Sequence, residues 1–381
     1  MTHDASAPPL DPTVPLPAHL HIFVAFDWGD EVDLERAAQL AAGEFVALPR
    51  RPRTPSSIAY KPPPVRFRLV PVKLTLPGCG EAAVELVEAT VFDFAAVSVS
   101  LELQLRLSRD GLTQLAGRLA DPDVSRLVTH TAYEALGPLY EKVLPAIQKP
   151  NWVESFSEEY YVFHFKPGAP LCPEALLGDL AGWAAGLLRL EDQPLSADEV
   201  AEAVRLSLRY GRDDLFLPDW AAAVLLDYEQ ECQETLQTIE FANLQLLEYR
   251  QIDDRLDGTL AHVTKLIARL EKSRFPPWRG QDAALRTVGD LKVEATGLFE
   301  RTGNVFKLIG DQYLARAYRL LATRFHLRDW ERSIQRKLDV IEGIYEVVSN
   351  RTVTFRTEFL EIIVIILIML EIVLALVHRA P

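Results

Sequence analysis

The sequence FLEIIVIILIMLEIVLALV, residues 359–377, decides how the rest of the chain is organised. It contains seventeen apolar residues and two charged ones, Glu361 and Glu371. As an α-helix, nineteen residues are about 28 Å long, which is close to the roughly 30 Å hydrocarbon thickness of a bilayer. Four residues follow it, so everything ahead of it can fold in water first. The sequence therefore predicts a C-terminal transmembrane anchor at residues 357–381.

Glu361 and Glu371 make insertion of this helix marginal. Each Leu, Ile, Phe or Val contributes roughly 0.3 to 0.6 kcal/mol to insertion, whereas a carboxylate near the bilayer centre costs about 3 kcal/mol. Acidic side chains at membrane depth usually face a protein partner or are protonated. We therefore expect both glutamates to contact a partner, either another copy of the chain in a membrane homo-oligomer or a bound neighbour. The alternative interpretation is a helix buried in the core of a soluble oligomer.

The composition is that of a globular protein with a sizeable core. The chain has 381 residues, 49% of them hydrophobic, and a net charge of −14. This acidic balance argues against binding of nucleic acid through net charge, and no DNA partner is expected. Cys79, Cys172 and Cys232 lie far apart and match neither a disulfide framework nor a metal-ligand spacing. Such cysteines are typical of a reducing compartment, so we expect the head in the cytoplasm.

The pattern of predicted elements divides the chain into four parts. Residues 1–18 are rich in proline and lack an apolar run, which predicts a disordered leader. Residues 19–228 mix strands and helices without regular alternation, which favours an α+β head domain over a doubly wound fold. Residues 229–356 contain few helix breakers and are predicted to form a long antiparallel helical hairpin or stalk. The C-terminal hydrophobic helix follows as the fourth part.

Heptad patterns indicate packed seams on the long helices. Nine of ten seam positions between residues 239 and 270 suit a packed interior, and the exception is Asp253, which needs a partner there. On the last helix, one heptad phase runs from Ile334 to Val373 without a break. A single helix of about 48 residues, roughly 70 Å long, is therefore predicted to connect stalk and membrane.

A stretch without acidic residues stands out in this acidic chain. Residues 45–80 contain no Asp or Glu, and residues 65–76 within them alternate like a strand. We call the seven positive charges of this stretch the basic island: Arg50, Arg51, Arg53, Lys61, Arg66, Arg68 and Lys73. One interpretation is a docking surface for phosphate groups of RNA or of anionic lipid. The other is a solvated loop followed by an edge strand that charge protects from aggregation.

The sequence contains no recognisable catalytic motif. There is no glycine-rich phosphate loop, and the eight histidines lack the His-Glu-x-x-His spacing of a helical zinc site. We therefore predict no catalytic residue, no metal ligand and no cofactor, and a protein that is not an enzyme. A polar network is predicted on the helices, and it is interpreted either as a ligand site or as a helix-packing network. Its members are Asp253, Asp257, Lys307, Asp311 and Arg316.

Several short motifs resemble those of one family. The run LEIIVIILI at residues 360–368, followed by Glu371, resembles the C-terminal signature of the family required for meiotic nuclear division. The sequences LEYR at 247–250 and KLIGDQYL at 307–314 are similar to the helical core of that family, and WAAA at 220–223 to the end of its α+β part.

This resemblance implies a membrane-anchored, oligomeric protein. The family is a domain of unknown function with bacterial, fungal and mitochondrial members, and its mitochondrial members support translation inside the organelle. It provides no catalytic residues to carry over. Because the chain begins with a proline-rich leader instead of a transit peptide, a bacterial inner-membrane protein is expected, with its head in the cytoplasm.

Two classes of function are consistent with these features. The first is a membrane-anchored scaffold or adaptor whose head binds a protein or ribonucleoprotein partner, in support of translation or of the assembly of membrane complexes. The second is an oligomeric ion channel or transporter subunit with one span. Its architecture resembles CorA-type magnesium channels, although the chain lacks a second span and the Gly-Met-Asn filter.

Overall fold

A computed structural model describes residues 13–46, 62–84, 86–168, 171–229, 231–272, 293 and 312–377. The strands are β1 Leu16–Asp27, β2 Glu31–Val32, β3 Phe45–Val46, β4 Val65–Arg68, β5 Lys73–Leu76, β6 Gly80–Ala83, β7 Leu86–Val91, β8 Ala96–Leu107, β9 Ile147–Gln148, β10 Ser157–Phe165, β11 Leu215–Pro218 and β12 Ala222–Leu226. The helices are α1 Leu34–Leu40, α2 Arg109–Leu119, α3 Pro122–Val143, α4 Pro173–Leu177, α5 Ala181–Arg189, α6 Ala197–Arg205, α7 Gln233–Lys272, α8 Gln312–Arg324 and α9 Leu327–Val377.

An eight-stranded sheet forms the centre of the N-terminal part. Its strand order is β11-β12-β10-β1-β8-β7-β4-β3. All neighbouring strands in it are antiparallel except β10 and β12, which run parallel. The prediction of a mixed strand and helix domain followed by helices is therefore confirmed.

Strand β1 crosses the middle of this sheet, and one of its faces belongs to the main hydrophobic core. Leu20, Ile22 and Val24 alternate along this face and are fully buried. They pack in one cluster with apolar residues of α2, α3 and α5. The period of two along a strand places the residues between them, such as His21 and Phe23, on the opposite face.

The opposite face of the sheet is covered by the first part of α7 and by α8. Phe241 of α7 packs against Phe92, with ring centroids 5.7 Å apart, and Phe325, directly after α8, packs against Tyr160 at 5.2 Å. This layer also buries an unusual number of polar side chains, among them His21, Glu88, Thr90, Ser98, His164, Thr235, Thr238, Glu240 and Asn243. The candidate site lies in this polar layer.

The described residues fall into two compact units. Among the described residues the boundaries lie after Gln251, between residue 293 and α8, and after Asp329. The head unit contains the sheet, helices α1 to α6, the start of α7 and all of α8, so two separate stretches of chain build it. The second unit contains the rest of α7 and α9 from Trp330 onward. The sequence pattern places the end of the head earlier, at residue 228.

Two boundaries differ from the sequence predictions. The strand predicted at residues 65–76 forms as two strands, β4 and β5, with Pro71 between them, because proline cannot donate to a strand ladder. The predicted leader ends sooner than residue 18, because β1 already begins at Leu16. Residues 1–12 of that leader lie outside the described residues, as does most of the return segment of the predicted hairpin.

Helix α9 is continuous over 51 residues, as the unbroken heptad phase predicts. Across the part of the chain that the structure describes, no helix is both long enough and apolar enough to cross a membrane. The anchor at residues 357–381 thus receives no support from the structure and stays a prediction.

Candidate functional site

Three histidines meet on the polar face of the sheet. His19 and His21 are two residues apart in β1, so their side chains share one face. Strand β10 pairs with β1 in a register that places His164 opposite His19. The three ring centroids lie 5.5 to 6.2 Å from one another. We call these three side chains the histidine cluster.

His164 is oriented by the segment that connects β12 to α7. Its Nε2 lies 3.1 Å from the carbonyl oxygen of Asp227. Because a carbonyl only accepts, Nε2 carries the proton, and Nδ1 of the neutral ring then has a free lone pair. This Nδ1 lies 3.4 Å from Nε2 of His21. Both rings are almost completely buried, so the two nitrogens face each other inside the protein.

His19 lies between two carboxylates. Its Nδ1 is 3.1 Å from Oε1 of Glu102, on the neighbouring strand β8, and its Nε2 is 3.5 Å from Oε1 of Glu229. The Glu229 side chain is 64% exposed, and that of His19 is 21% exposed. The histidine cluster therefore opens to solvent at the end where Glu229 lies.

Burial keeps the two inner imidazoles neutral. It lowers the pKa of His21 to about 3, with smaller contributions from His164 and His19. Burial also lowers the pKa of His164, although the hydrogen bond to Asp227 opposes this change. At neutral pH each ring therefore retains one lone pair that can accept a hydrogen bond or bind a metal ion.

Cys232, directly before α7, lies near the cluster but is a poor nucleophile. Burial raises the pKa of its thiol to about 12, and the carboxylates of Asp227 and Glu102 act in the same direction. A thiol with this pKa remains protonated at neutral pH, whereas the thiolate is the reactive form. Nucleophilic catalysis by Cys232 is therefore unfavourable.

The cluster contains the ligand types that Zn²⁺ uses, imidazole nitrogen and carboxylate oxygen. In the described part of the chain, no three His, Cys, Asp or Glu side chains have the spacing of an assembled metal site. The ligand types are thus present, but as separate pairs: His21 with His164, and His19 with its two glutamates.

The sequence prediction missed this cluster because it examined histidines at helical spacings. On a strand the relevant spacing is two residues, and His19-Leu20-His21 has it. His164 follows His21 by 143 residues, and its place depends on which strand pairs with β1. The first two members could have been found from the sequence, but the third could not.

The structure covers three members of the basic island. Arg66 lies in β4 and is largely buried, with its guanidinium 2.9 Å from Glu240 and 3.3 Å from Glu88. Arg68 is exposed and lies 3.6 Å from Glu88, and Lys73 is exposed at the start of β5. Arg66 therefore belongs to a structural ion cluster. The other members lie outside the described residues: Arg50, Arg51, Arg53 and Lys61.

The predicted polar network has a different cation from those expected. Lys337 of α9 lies 2.8 Å from Asp253 and 2.6 Å from Asp257. Asp253 also accepts from Ser333 at 3.4 Å. From Ser333 to Lys337 on α9, the contacts on α7 extend from Asp253 to Asp257. Both helices advance in the same direction, so α7 and α9 run parallel in this unit.

Arg316, the other described member of the predicted network, makes a different contact. Arg316 lies over the ring of Tyr313, 6.0 Å from its centroid. Lys307 and Asp311 lie outside the described residues. Asp253 thus has the partner that its seam position requires, and Lys337 supplies it.

The two glutamates of the terminal helix are both exposed. Eight consecutive apolar residues between them, Ile363 to Leu370, are also exposed. We call these eight residues the apolar segment.

Comparison with known proteins places the head in a family. The model of a family described as uncharacterized protein MJ0711, N-terminal domain, matches residues 17–233, more than half of the chain. This chain belongs to that family. Uncharacterized protein MJ0711 of Methanocaldococcus jannaschii is 25% identical over 246 residues, which are 64% of this chain and 73% of the relative. No solved structure matches.

Membership of the MJ0711 N-terminal domain family supports one part of the resemblance inferred from the sequence, namely that the chain belongs to a family without an assigned function. Both are families without an assigned function, but the matching family is not the one required for meiotic nuclear division. The matched region ends at the first residue of α7, and it includes the whole histidine cluster.

Proposed function

We propose that this protein is a membrane-attached, oligomeric scaffold whose α+β head binds a protein or ribonucleoprotein partner. The observation that supports membrane attachment is the apolar segment. Every residue from Ile363 to Leu370 is between 36 and 59% exposed. Eight residues make more than two helical turns, so apolar side chains point in every direction around the axis.

This all-round pattern favours lipid over a protein partner as the covering of the segment. A helix that packs on protein needs one apolar stripe and carries polar residues on its other side. A helix in hydrocarbon is covered on all sides and is apolar all round. The segment alone is about 12 Å long, so what it supports is insertion into lipid. The proposal also includes a complete crossing of the bilayer by residues 357–381.

Other features of the chain support a scaffold role and oligomer formation. The head has its own core, and the rest of α7 with most of α9 forms a second unit of long helices, which suits a protein with a binding domain and a separate attachment point. Glu361 and Glu371 flank the apolar segment, and carboxylates in lipid require partners. Contacts between copies through these two side chains, and a predicted hairpin in the stalk, belong to the same proposal.

Flotation with lipid vesicles tests membrane attachment. The full chain and a variant without residues 357–381 are mixed with vesicles of neutral phosphatidylcholine, which removes any attraction between charges. We expect the full chain to float with the vesicles and the truncated chain to remain in the soluble fraction with the circular dichroism of a folded head.

Two single substitutions on α9 make the test specific. Ile366→Lys, in the apolar segment, is expected to reduce vesicle binding strongly, because a lysine in hydrocarbon costs about 3 kcal/mol. Val340→Lys, at another exposed apolar position of the same helix, is the matched control and is expected to bind like the unchanged chain. Equal flotation of the truncated chain would contradict the proposal. So would a full chain that stays unbound and forms defined soluble oligomers, which is the outcome of a helix buried in an oligomer core.

A further inference from the structure

We infer that the histidine cluster is a binding site for a divalent transition-metal ion, with Zn²⁺ as the best-fitting occupant. His19, His21 and His164 supply the imidazole ligands, and the Glu229 carboxylate supplies the fourth. The inference concerns the head alone and does not depend on membrane attachment.

The first argument is the separation of the two buried nitrogens. Two ligands that bind zinc at about 2.0 to 2.1 Å in tetrahedral geometry are about 3.3 to 3.4 Å from each other. Nδ1 of His164 and Nε2 of His21 are 3.4 Å apart, and their ring centroids are 5.5 Å apart. This separation matches one edge of a zinc tetrahedron. Binding by this pair also requires that the proton of His21 is on Nδ1 instead of Nε2.

The second argument is that two rings each have one nitrogen with the kind of partner found around bound metals. Ligating histidines usually donate their other N–H to a carbonyl or a carboxylate, which fixes the ring and its tautomer. His164 donates Nε2–H to the Asp227 carbonyl, and Nδ1 of His19 lies 3.1 Å from the Glu102 carboxylate. The nitrogens left for an ion are Nδ1 of His164 and Nε2 of His19.

The third argument concerns the second pair of ligands. Nε2 of His19 and Oε1 of Glu229 are 3.5 Å apart, again close to the edge of a zinc tetrahedron, which is about 3.3 to 3.4 Å. The His19 ring lies 5.6 Å from that of His164 and 6.2 Å from that of His21. The four ligands thus form two pairs, and assembly requires the outer pair to approach the inner pair. The Glu229 side chain, which is 64% exposed, approaches from the solvent side, and the inference requires the His19 ring to turn with it.

The chemistry of the site favours zinc over hard cations. Three imidazole nitrogens and one carboxylate suit Zn²⁺, whereas Mg²⁺ and Ca²⁺ prefer oxygen ligands. The Glu102 and Glu229 carboxylates balance the charge of the ion. The Cys232 thiol, whose pKa burial raises to about 12, is not needed as a ligand.

Titration of the metal-free full chain with Zn²⁺ tests this inference. Calorimetry is expected to show one high-affinity ion per chain, and Co²⁺ in its place is expected to give the visible absorption of a four-coordinate centre. His21→Gln is expected to weaken Zn²⁺ binding by at least about 100-fold, and Glu102→Gln, which removes only the partner of a ligand, by about 10 to 100-fold.

The control is His130→Gln. His130 also lies beside carboxylates, at 2.9 Å from Glu154 and 3.4 Å from Glu134, but on the surface. Its substitution is expected to leave the tight site unchanged. The melting temperature in chelator shows whether each variant is folded, and the rise in melting temperature on adding Zn²⁺ provides a second readout of the site. An absence of tight binding, or an affinity that is the same in His21→Gln as in the unchanged chain, would overturn the inference. Equal losses in His21→Gln and His130→Gln would place the ion elsewhere and overturn it too.

Discussion

Arg324, the last residue of α8, closes the end of another helix. Its guanidinium donates to the carbonyl oxygens of Glu202 at 2.7 Å, Ala203 at 2.9 Å and Pro218 at 3.1 Å. Glu202 and Ala203 belong to the last turn of α6, where the carbonyl oxygens lack an N–H donor within the helix. One buried cation therefore satisfies both a helix end and a strand end.

Replacing Arg324 with Ala is expected to lower the free energy of unfolding of the head by about 3 to 5 kcal/mol, because buried acceptors lose their donor. Arg324→Lys is expected to recover part of this loss, since an ammonium group has the charge but lacks the planar fork of donors. Urea-induced unfolding measures both. The exposed Arg328 is the control, and its replacement by Ala is expected to change stability by less than about 0.5 kcal/mol. A similar small effect at Arg324 would show that water can replace its contacts.

Glu240 of α7 carries a buried carboxylate in the polar layer. Burial raises its pKa above the ordinary value of 4.5, and the Arg66 cation opposes this change. In the range above pH 4.5, the folded protein therefore holds this proton more tightly than the unfolded chain does. The contribution of this group to stability is full below the unfolded pKa and is lost as pH rises through the folded pKa.

The pH dependence of this contribution can be isolated with Glu240→Gln, which cannot titrate. The difference in unfolding free energy, unchanged chain minus Glu240→Gln, is expected to fall as pH is raised from 4.5 to 8. Urea unfolding at intervals across this range measures it. Glu141→Gln, which removes an exposed carboxylate by the same substitution, is the matched control. If the Glu240 difference grew with pH instead, the pairing with Arg66 would outweigh burial.

At the scale of elements, a lysine between two aspartates connects helices α7 and α9 in the second unit. Lys337 of α9 contacts Asp253, a seam residue of α7, and Asp257, one helical turn later. The seam residues Ile334, Leu338 and Ile341 of α9 are buried, in agreement with the heptad assignment.

A double-mutant cycle with Lys337→Met and Asp253→Asn is expected to give a coupling energy of about 0.5 to 3 kcal/mol, because these two side chains form a largely buried ion pair. Asp257 keeps its contact with Lys337 in the Asp253→Asn variant. Thermal and urea unfolding of the full chain provide the four stabilities. The matched cycle uses the exposed neighbour Asp254→Asn in place of Asp253→Asn and is expected to show no coupling. Equal coupling in both cycles would mean that Lys337 acts through general charge and not through the seam.

The elements that could be predicted are those whose signal is local. Alternation identified β1, and heptad spacing identified both the length of α9 and the need of Asp253 for a partner. The partner itself could not be identified, because Lys337 looks like any other surface lysine in the sequence. Pro71 divides a run that alternates throughout, and the alternation alone gave no reason to place a break there.

At the scale of the whole molecule, the limit is set by pairings between distant segments. The α+β class follows from the mixture of patterns, but the sheet places β10 beside β1 and β12 parallel to β10. Both the polar layer and the histidine cluster arise from these pairings. A single sequence has no local signal for them, since each strand could pair with several others at the same cost.

The two-segment construction of the head has a consequence for synthesis of the chain. Its core strands and α6 are complete when residue 251 has been made, but α8, which brings Arg324 and Phe325, ends 73 residues later at Arg324. At about 5 to 20 residues per second, a ribosome needs roughly 4 to 15 seconds for this interval. During that time the nascent head exposes the aromatic ring of Tyr160 and the uncapped carbonyls of α6. These groups form a surface that a chaperone would bind until α8 has been made.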